Sequence, residues 1–304
     1  MKIFHGINQV RKFKNAVVAL GVFDGVHRGH VNILRSAVTK AHSIKGTSVV
    51  MTFYPHPQGE ESLYSLEHRL RLFQQIGIDA CIVVNFTKTF ALMAPKDFIK
   101  EILTNRIGAN YVYVGRNFRF GKGAKGDLKT LEESADIYGY ELKAFSVVKI
   151  KNRPISSTYI RRLIKGAQLK KAEHLLSRPV SILGSVIPGN FLGRIIGFPT
   201  ANIDPHHEVI PAPGIYAVRV ILEGKRYAGV CYIGTRPTFM KQEKKCKTRI
   251  EAHIFNFNKN IYSKFLEIQF IKKIRRDLKF ATLAMLKRQI EKDAAIAKRI
   301  LILH

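Results

Sequence analysis

The first half of the chain alternates short apolar runs with segments whose apolar residues recur at helical spacing. The apolar runs are rich in β-branched residues and cover residues 16–23, 47–53, 79–86 and 110–115. The helix-period segments cover residues 30–44, 66–77, 94–108 and 128–139. Strands that alternate with helices in this way are typical of βαβ units, which form parallel sheets. The pattern therefore predicts a Rossmann-like, doubly wound α/β domain.

From residue 181 onward the pattern changes to strands separated by Gly, Pro and Asn turns. These predicted strands cover residues 181–187, 214–224, 225–234, 249–257 and 264–274. Several strands at such short spacing indicate an antiparallel barrel or sandwich. The last segment, 281–302, predicts a helix that packs on these strands. Its apolar residues at helical spacing are Leu283, Leu286, Ile290, Ala294, Ala297 and Leu301.

The stretch between these two patterns, residues 157–179, predicts two short helical segments that are broken at Gly166 and ended by Pro179. We therefore place the domain boundary near residue 180. The first domain covers residues 1–180, including this helical linker, and the second covers residues 181–304. Because no internal repeat is visible, the two domains are expected to have different functions.

Composition indicates a soluble globular protein, with 46% hydrophobic and 24% charged residues in a chain of 304. The longest candidate for a membrane or signal segment, residues 16–23, is far below the ~18 to 20 apolar residues needed to span a bilayer. We therefore expect a cytoplasmic protein without a membrane partner. Cys81, Cys231 and Cys246 show no metal-ligand spacing, so we interpret them as buried or incidental thiols.

The chain is strongly basic, since 51 Lys and Arg against 22 Asp and Glu give a net charge of +29. Such a charge attracts polyanions, including nucleic acid. The basic residues are spread along the chain, however, and their densest cluster, 272–279, has no helix-turn-helix or RNP pattern with it. A solvated basic surface is the other interpretation, and we expect no specific nucleic-acid partner. The sequence leaves the reason for the charge and the oligomeric state open.

The glycine-rich stretch GVFDGVHRGH, residues 21–30, connects the first predicted strand to the first helix, where doubly wound sheets bind ligands. Gly25 and Gly29 allow a tight turn, and the helix start presents N–H groups and a positive dipole end to an anion. His27 and His30 can donate to phosphate oxygens. We interpret the stretch as a phosphate site; a metal site, which lacks a third ligand, and ordinary turn histidines are the alternatives.

Two further segments fit the same kind of site. Residues 114–127 follow a predicted strand and contain glycines, aromatics and cations, which suits a loop over a nucleotide or, equally, a flexible basic loop. The stretch SSTYIRR, residues 156–162, opens a helix, and Ser157 or Thr158 is a natural N-cap. Arg161 at the same helix start can clamp phosphates. Helix capping and phosphate binding therefore both remain possible roles of this stretch.

These segments, with TFYPHP at 52–57, resemble the HxGH-type nucleotidyltransferase module of bacterial bifunctional riboflavin kinase/FAD synthetases. The second half resembles the kinase module of the same family through GRIIGFPTANI, PAPGIYAV, YIGTRPTF, RIEAHIFNF and KFATLAMLKRQIEKD. The resemblance covers nearly the whole chain in family order. It implies a six-stranded antiparallel β-barrel with a C-terminal helix for the second domain. It also implies ATP with Mg²⁺ for both activities, riboflavin and FMN as acceptors, and FAD as the final product.

Carried over by position, the resemblance makes His27 and His30 catalytic contacts to the ATP phosphates. The positions that it assigns to ATP are Gly21, Phe23, Gly25, His27, Gly29, His30, Asn117, Ser157, Thr158, Arg161, Thr200 and Asn202. In adenylyl transfer the FMN phosphate attacks the α-phosphorus in line. The protein then supplies alignment and charge stabilisation, without a covalent intermediate.

In the second half, GFPTAN by itself predicts a structural turn, with oxygen donors on Thr200 and Asn202. The resemblance makes these two residues ligands of Mg²⁺ and ATP. Glu251 lies on the strand face opposite Ile250 and Ala252, a pattern typical of an exposed glutamate. The resemblance instead makes Glu251 the general base that takes the proton of the riboflavin 5′-hydroxyl. His253, on the same face, receives no role.

Two departures from the family pattern stand out. Arg69 occupies a position where lysine is common, and segment 58–65 is shorter than usual, which leaves FMN affinity open. The leading hypothesis is a bifunctional transferase that makes FMN and then FAD. The alternative is a basic nucleic-acid-binding protein that keeps the scaffold without turnover. The intact residues favour the enzyme; they are His27, His30, Thr200, Asn202 and Glu251.

Overall fold

The computed structural model describes residues 1–57, 59, 61–189, 192–206, 208–235 and 248–302. Its internal contacts divide the chain into two compact units. The first unit comprises Met1–Ser62 and Leu66–Ser157, and the second comprises Leu63–Ser65 and Thr158–His304. Cys246, the RPTF stretch at 236–239 and positions 58 and 60 lie outside the described residues.

The first unit contains a six-stranded parallel sheet, as the alternation of strands and helices predicts. Its strands are β1 Lys2–His5, β2 Ala16–Leu20, β3 Thr47–Tyr54, β4 Ala80–Asn85, β5 Ala109–Gly115 and β6 Glu141–Phe145. They lie in the order β1-β4-β3-β2-β5-β6, and every neighbouring pair is parallel. The order reverses at β2, where β3 lies on one side and β5 on the other. Ligands bind to doubly wound sheets at such a switch point.

Helices and turns connect these strands. The helices are α1 Arg28–Ser43, α2 Leu66–Ile76, α3 Lys88–Ala91, α4 Pro95–Asp97 and α5 Leu128–Tyr138. Short 3-10 turns cover Ile7–Gln9, Asp24–Val26 and Lys122–Ala124, and a short hairpin is formed by β7 Lys149–Ile150 and β8 Arg153–Pro154. The helix predicted at 94–108 differs from expectation, because Phe98–Ile107 is wound as a π-helix. Apolar spacing identifies a helix here but not its winding.

The second unit is built around a closed barrel of six antiparallel strands, which confirms the predicted architecture. The strands are β9 Val180–Ile187, β10 Ala201–Asp204, β11 Gly214–Leu222, β12 Lys225–Thr235, β13 Thr248–Ile254 and β14 Phe265–Arg275. They close in the order β10-β13-β12-β11-β14-β9. The helices are α6 Ser157–Lys165, which begins on the last residue of the first unit, α7 Leu169–Leu176, α8 Leu192–Ile195 and α9 Leu283–Ile302.

Helix α9 packs on the barrel through the later part of its apolar repeat, whereas Leu283 at its start is 54% exposed. Ala294 and Ala297 pack with Ala217 of β11 in a small buried cluster. At the same interface Arg275 of β14 forms an ion pair with Asp293, which is 2% exposed, with Nη2 2.7 Å from Oδ2. Charge pairing of this kind fixes the rotation of α9 more tightly than alanine packing alone.

The remaining sequence expectations concern thiols and membranes. Cys81 and Cys231 are buried, and burial raises the pKa of the Cys81 thiol to about 12, so this thiol stays protonated and unreactive at neutral pH. Within the described ranges, no helix combines the length and the apolar character needed to cross a membrane.

Candidate active sites

The turn after β2 has an unusual backbone. Phe23, Gly25 and Val26 have φ angles of +53°, +74° and +41°. Positive φ is disfavoured for a bulky residue such as phenylalanine and more so for a β-branched one such as valine. Such conformations persist where the surrounding structure holds them, and they cluster at functional sites. This turn leads directly into His27 and α1.

His27 caps the N-terminus of α1, where its Nδ1 accepts a hydrogen bond of 3.4 Å from the backbone N–H of His30. Because Nδ1 is the acceptor, the neutral His27 ring carries its proton on Nε2. The two imidazoles are stacked, with ring centroids 3.6 Å apart and an interplanar angle of 19°. Both rings therefore lie at a helix start whose N–H groups and dipole favour a phosphate.

Neighbouring residues fix the positions of the two imidazoles. The Phe23 ring meets His30 edge-on, with centroids 5.3 Å apart, and meets Phe73 of α2 in the same way at 6.0 Å. A Cβ atom at Gly29 would lie 3.3 Å from the His27 ring, so any other residue there would press on that ring. A Cβ atom at Gly21 would similarly lie 3.1 Å from the Phe23 ring. The predicted residues Gly21, Phe23 and Gly29 therefore leave room for the two imidazoles or pack against them.

Ser157 also reaches this turn. Its hydroxyl donates a hydrogen bond of 2.9 Å to the backbone oxygen of Asp24. Helix α6 begins at Ser157, so this serine is the first helical residue. Its side chain holds the turn after β2 through the hydrogen bond to Asp24. Thr158 and Arg161 follow on α6 in the second unit.

Asn117 lies in the turn that follows β5, which neighbours β2 in the sheet with Ala19 opposite Tyr113. The carboxyl ends of parallel neighbours meet at one edge, so Asn117 lies at the same sheet edge as His27. The loop that contains Asn117 is held by an ion pair of 2.8 Å between Arg119 and Asp127.

Asp127 anchors the end of that loop. Its carboxylate accepts the N–H of Thr130 at the start of α5, and the Thr130 hydroxyl completes a capping box. These hydrogen bonds lower the pKa of Asp127 below its ordinary value, with the Arg119 charge adding to the effect. The end of the loop that leads into α5 is therefore fixed.

In the second unit, β10 and β13 bring a second group of predicted residues together. Asn202 pairs with Glu251 across β10 and β13, and Tyr232 of β12 pairs with Glu251 from the other side. Directly paired residues point to the same face of a sheet, so these three side chains form a row. Thr200 immediately precedes β10.

The Glu251 side chain is only 15% exposed, which differs from an ordinary surface glutamate. Its carboxylate forms an ion pair with Arg249, two residues earlier on the same face of β13. Burial raises the pKa of Glu251, and the Arg249 charge offsets part of that rise. The pair gives a carboxylate that is more basic than usual yet still able to ionise.

His253, which received no role from the sequence, contacts the neighbouring turn. Its Nδ1 lies 2.8 Å from the backbone oxygen of Pro199. Since a carbonyl oxygen only accepts, Nδ1 is the donor. The Phe198 ring lies edge-on to His253 with centroids 5.4 Å apart. The one available signal was its position on the Glu251 face of β13.

The donor set at the start of β10 suits a hard cation. Thr200 and Asn202 offer neutral oxygen ligands, the type that Mg²⁺ accepts when substrate phosphates supply the charge. A side chain at Gly189 would collide with the Asn202 amide, so the glycine there leaves room for that amide. For the histidine pair, the described part of the chain contains no cluster of three His, Cys, Asp or Glu side chains that could hold a metal ion.

Comparisons with known proteins match a different family to each half of the chain. The FAD synthetase family matches residues 9–159, and the riboflavin kinase family matches residues 176–301. Relatives named bifunctional riboflavin kinase/FMN adenylyltransferase include that of Haemophilus influenzae, 35% identical over 98% of each chain. Another is that of Escherichia coli, 33% identical over 98% of this chain and 97% of the relative.

A solved structure described as a macrolide-efflux protein from Streptococcus pneumoniae has the same fold, with a TM-score of 0.84 and 27% identity over 98% of this chain and 99% of that one. The α/β unit with a helix-start histidine pair and the six-stranded barrel define a two-domain nucleotide-dependent transferase. The chain belongs to the bifunctional riboflavin kinase/FMN adenylyltransferase family.

Proposed function

We propose that the two activities of this family are carried by the two groups of residues described above. Riboflavin is phosphorylated to FMN at the β10–β13 face, and FMN is converted to FAD at the edge of the parallel sheet. The observation that supports FAD formation at the sheet edge is the stacked His27 and His30 pair at the start of α1. The observation that supports riboflavin phosphorylation at the β10–β13 face is the row formed by Asn202, Glu251 and Tyr232.

For adenylyl transfer, ATP lies against the start of α1 with its phosphates toward His27 and His30. A phosphate oxygen of FMN attacks the α-phosphorus, the bond to the bridging oxygen breaks, and pyrophosphate leaves. His27 donates from Nε2, and the helix start stabilises the charge that develops on the phosphates. Asn117 and Ser157 are the other proposed residues of this ATP site at the edge of the parallel sheet. Thr158 and Arg161 remain predictions from the family resemblance.

For riboflavin phosphorylation, Glu251 takes the proton of the 5′-hydroxyl as that oxygen attacks the γ-phosphorus of ATP. The bond from the γ-phosphorus to the β–γ bridging oxygen breaks, and ADP leaves. Burial raises the pKa of Glu251 and so increases its basicity, and the Arg249 charge opposes part of that rise. Thr200 and Asn202 would hold Mg²⁺, which neutralises phosphate charge when bound. His253 holds the turn that carries Thr200 through Pro199.

We further propose a cytoplasmic enzyme whose partners are riboflavin, FMN and ATP. We assign the +29 net charge no role in either reaction, and we propose no specific nucleic-acid partner. The division of activities is proposed to lie near residue 180.

The direct test is to incubate the purified protein with riboflavin, ATP and Mg²⁺ and to separate the flavins by chromatography. FMN should appear first and FAD later, and FMN supplied directly should yield FAD with pyrophosphate. Protein that binds nucleic acid tightly while leaving both flavins unchanged would support the non-catalytic alternative instead.

A further inference from the structure

The backbone oxygen of Val22 is held by two buried side chains. Arg69 of α2 donates to it from Nη1 at 2.7 Å, and the Thr52 hydroxyl of β3 donates to it at 2.8 Å. The same Arg69 nitrogen also donates to the Thr52 hydroxyl oxygen at 3.0 Å. Three elements therefore meet at one carbonyl, just beyond the end of β2.

The position of this carbonyl gives the contact its importance. Val22 immediately precedes the turn in which Phe23, Gly25 and Val26 have positive φ. A non-glycine residue in such a conformation is strained, so the turn keeps its form only where neighbours hold it. Fixing the carbonyl at its start restrains the turn that delivers His27 to the helix start.

Arg69 is a charged residue at a buried position, where a charge is unfavourable. It is 2% exposed, and its neighbours on the inner face of α2 include Leu66, Leu72 and Phe73. Burial lowers the pKa of the Arg69 guanidinium, and the nearby Asp24 charge opposes that shift. A buried cation is rarely favourable compared with a well-packed apolar side chain. Packing alone therefore does not explain an arginine here.

We propose that Arg69 is a positioning residue for adenylyl transfer, which acts by holding the Val22 carbonyl and thereby the turn that places His27 and His30 against ATP. This inference rests on the proposed function of the two histidines. A lysine at position 69 can still donate to the Val22 carbonyl, so it should preserve most of the effect. It cannot span several acceptors as a guanidinium does, so we expect a small loss.

The test compares Arg69→Met, Arg69→Lys and Thr52→Val in the full chain. We expect Arg69→Met to lower kcat for FAD formation by about 10- to 100-fold, the scale of a misplaced reacting group. Thr52→Val should have a smaller effect in the same direction, and Arg69→Lys should recover activity to within about fivefold. Riboflavin kinase activity of the same molecules should not change. Arg71→Met, on the exposed side of α2, is the matched control.

A double variant separates positioning from simple destabilisation. If Arg69 acts through the histidine pair, adding Arg69→Met to His27→Ala should cost little more than His27→Ala alone. Independent, additive losses would overturn the proposal, as would Arg69→Met with FAD formation within threefold of wild type. If instead His27→Ala itself leaves FAD formation intact, the proposed site fails, and the role of Arg69 fails with it.

Discussion

At the residue scale, His27 combines two tasks that the sequence shows only as a turn position. The capping bond at Nδ1 fixes its tautomer, and the stack on His30 fixes its plane. A donor held in this way reorganises little when charge develops on a phosphate, which is the property that makes such groups effective.

Replacing either imidazole tests this arrangement. We expect His27→Ala and His30→Ala each to reduce FMN adenylylation by roughly 10- to 1000-fold, because each removes an aligned donor. Riboflavin kinase activity, measured on the same preparations, should be unchanged. Equal loss of both activities would indicate misfolding, and recovery on addition of zinc would support the metal alternative.

Glu251 is tested by a substitution that keeps its shape. Glu251→Gln removes the carboxylate that accepts the proton, so kcat for riboflavin phosphorylation should fall by about two to four orders of magnitude. Riboflavin binding should survive, and the variant supplied with FMN should make FAD at the normal rate. FMN formation within threefold of wild type would send the search for the base to another carboxylate.

At the element scale, β13 alternates an apolar face with a face that carries Arg249, Glu251 and His253. The apolar face packs into the barrel, and the other places a cation, a carboxylate and a donor to the Pro199 turn side by side. One strand thus sets both the basicity of Glu251 and the position of the residues before β10.

Arg249→Met should shift the pH dependence of the kinase reaction. The base works only when ionised, and Arg249 holds the pKa of Glu251 below the value that burial alone would give. Without that charge the pKa rises further, so the acidic limb of kcat should move to higher pH. The profile can be measured at saturating ATP and riboflavin from about pH 5 to about pH 8. An unmoved limb would show that the ion pair does not control the base.

The same scale shows what the sequence could predict. Strand β2 is buried along its whole length, and its apolar run identified it directly. Strands β1 and β6 were missed because they are short and largely accessible, and β10 has only four residues. The parallel pairing of the strands could still be anticipated, because alternation with helices is typical of βαβ units.

The contacts that complete the sites lie beyond any local pattern. Ser157 reaches Asp24 across 133 positions, His253 reaches Pro199 across 54, and Arg69 reaches Val22 across 47. Such pairs depend on tertiary folding, so motif spacing could identify the histidines but not the residues that hold them. Family resemblance supplied the roles that residue chemistry left open at Thr200 and Glu251.

At the scale of the whole molecule, the second unit is not one continuous stretch of chain. Leu63–Ser65 belongs to it, and Tyr64 in that segment is 1% exposed. Glu208, also 1% exposed, accepts the Ser65 N–H at 2.9 Å, the Ser65 hydroxyl at 2.7 Å and the Leu183 N–H at 2.9 Å. A buried carboxylate of this unit thus depends on donors from a distant part of the chain.

A fragment covering residues 181–304 tests the proposed division of activities. It should phosphorylate riboflavin and make no FAD, but it lacks Leu63–Ser65 and helices α6 and α7, so it should melt below the second unit of the full chain. A soluble, folded fragment without kinase activity would contradict the division near residue 180.

Glu208→Gln distinguishes the cause of that instability, with Tm followed by circular dichroism in both molecules. In the full chain the amide cannot accept from all three donors, and leaving a buried group unpaired costs about 1–3 kcal/mol, so Tm should fall. In the fragment the Ser65 donors are already gone, and a neutral amide is less costly to bury than a carboxylate. The substitution should therefore leave the fragment's Tm unchanged or raise it. A fall of equal size in both molecules would show that Ser65 does not stabilise this unit through Glu208.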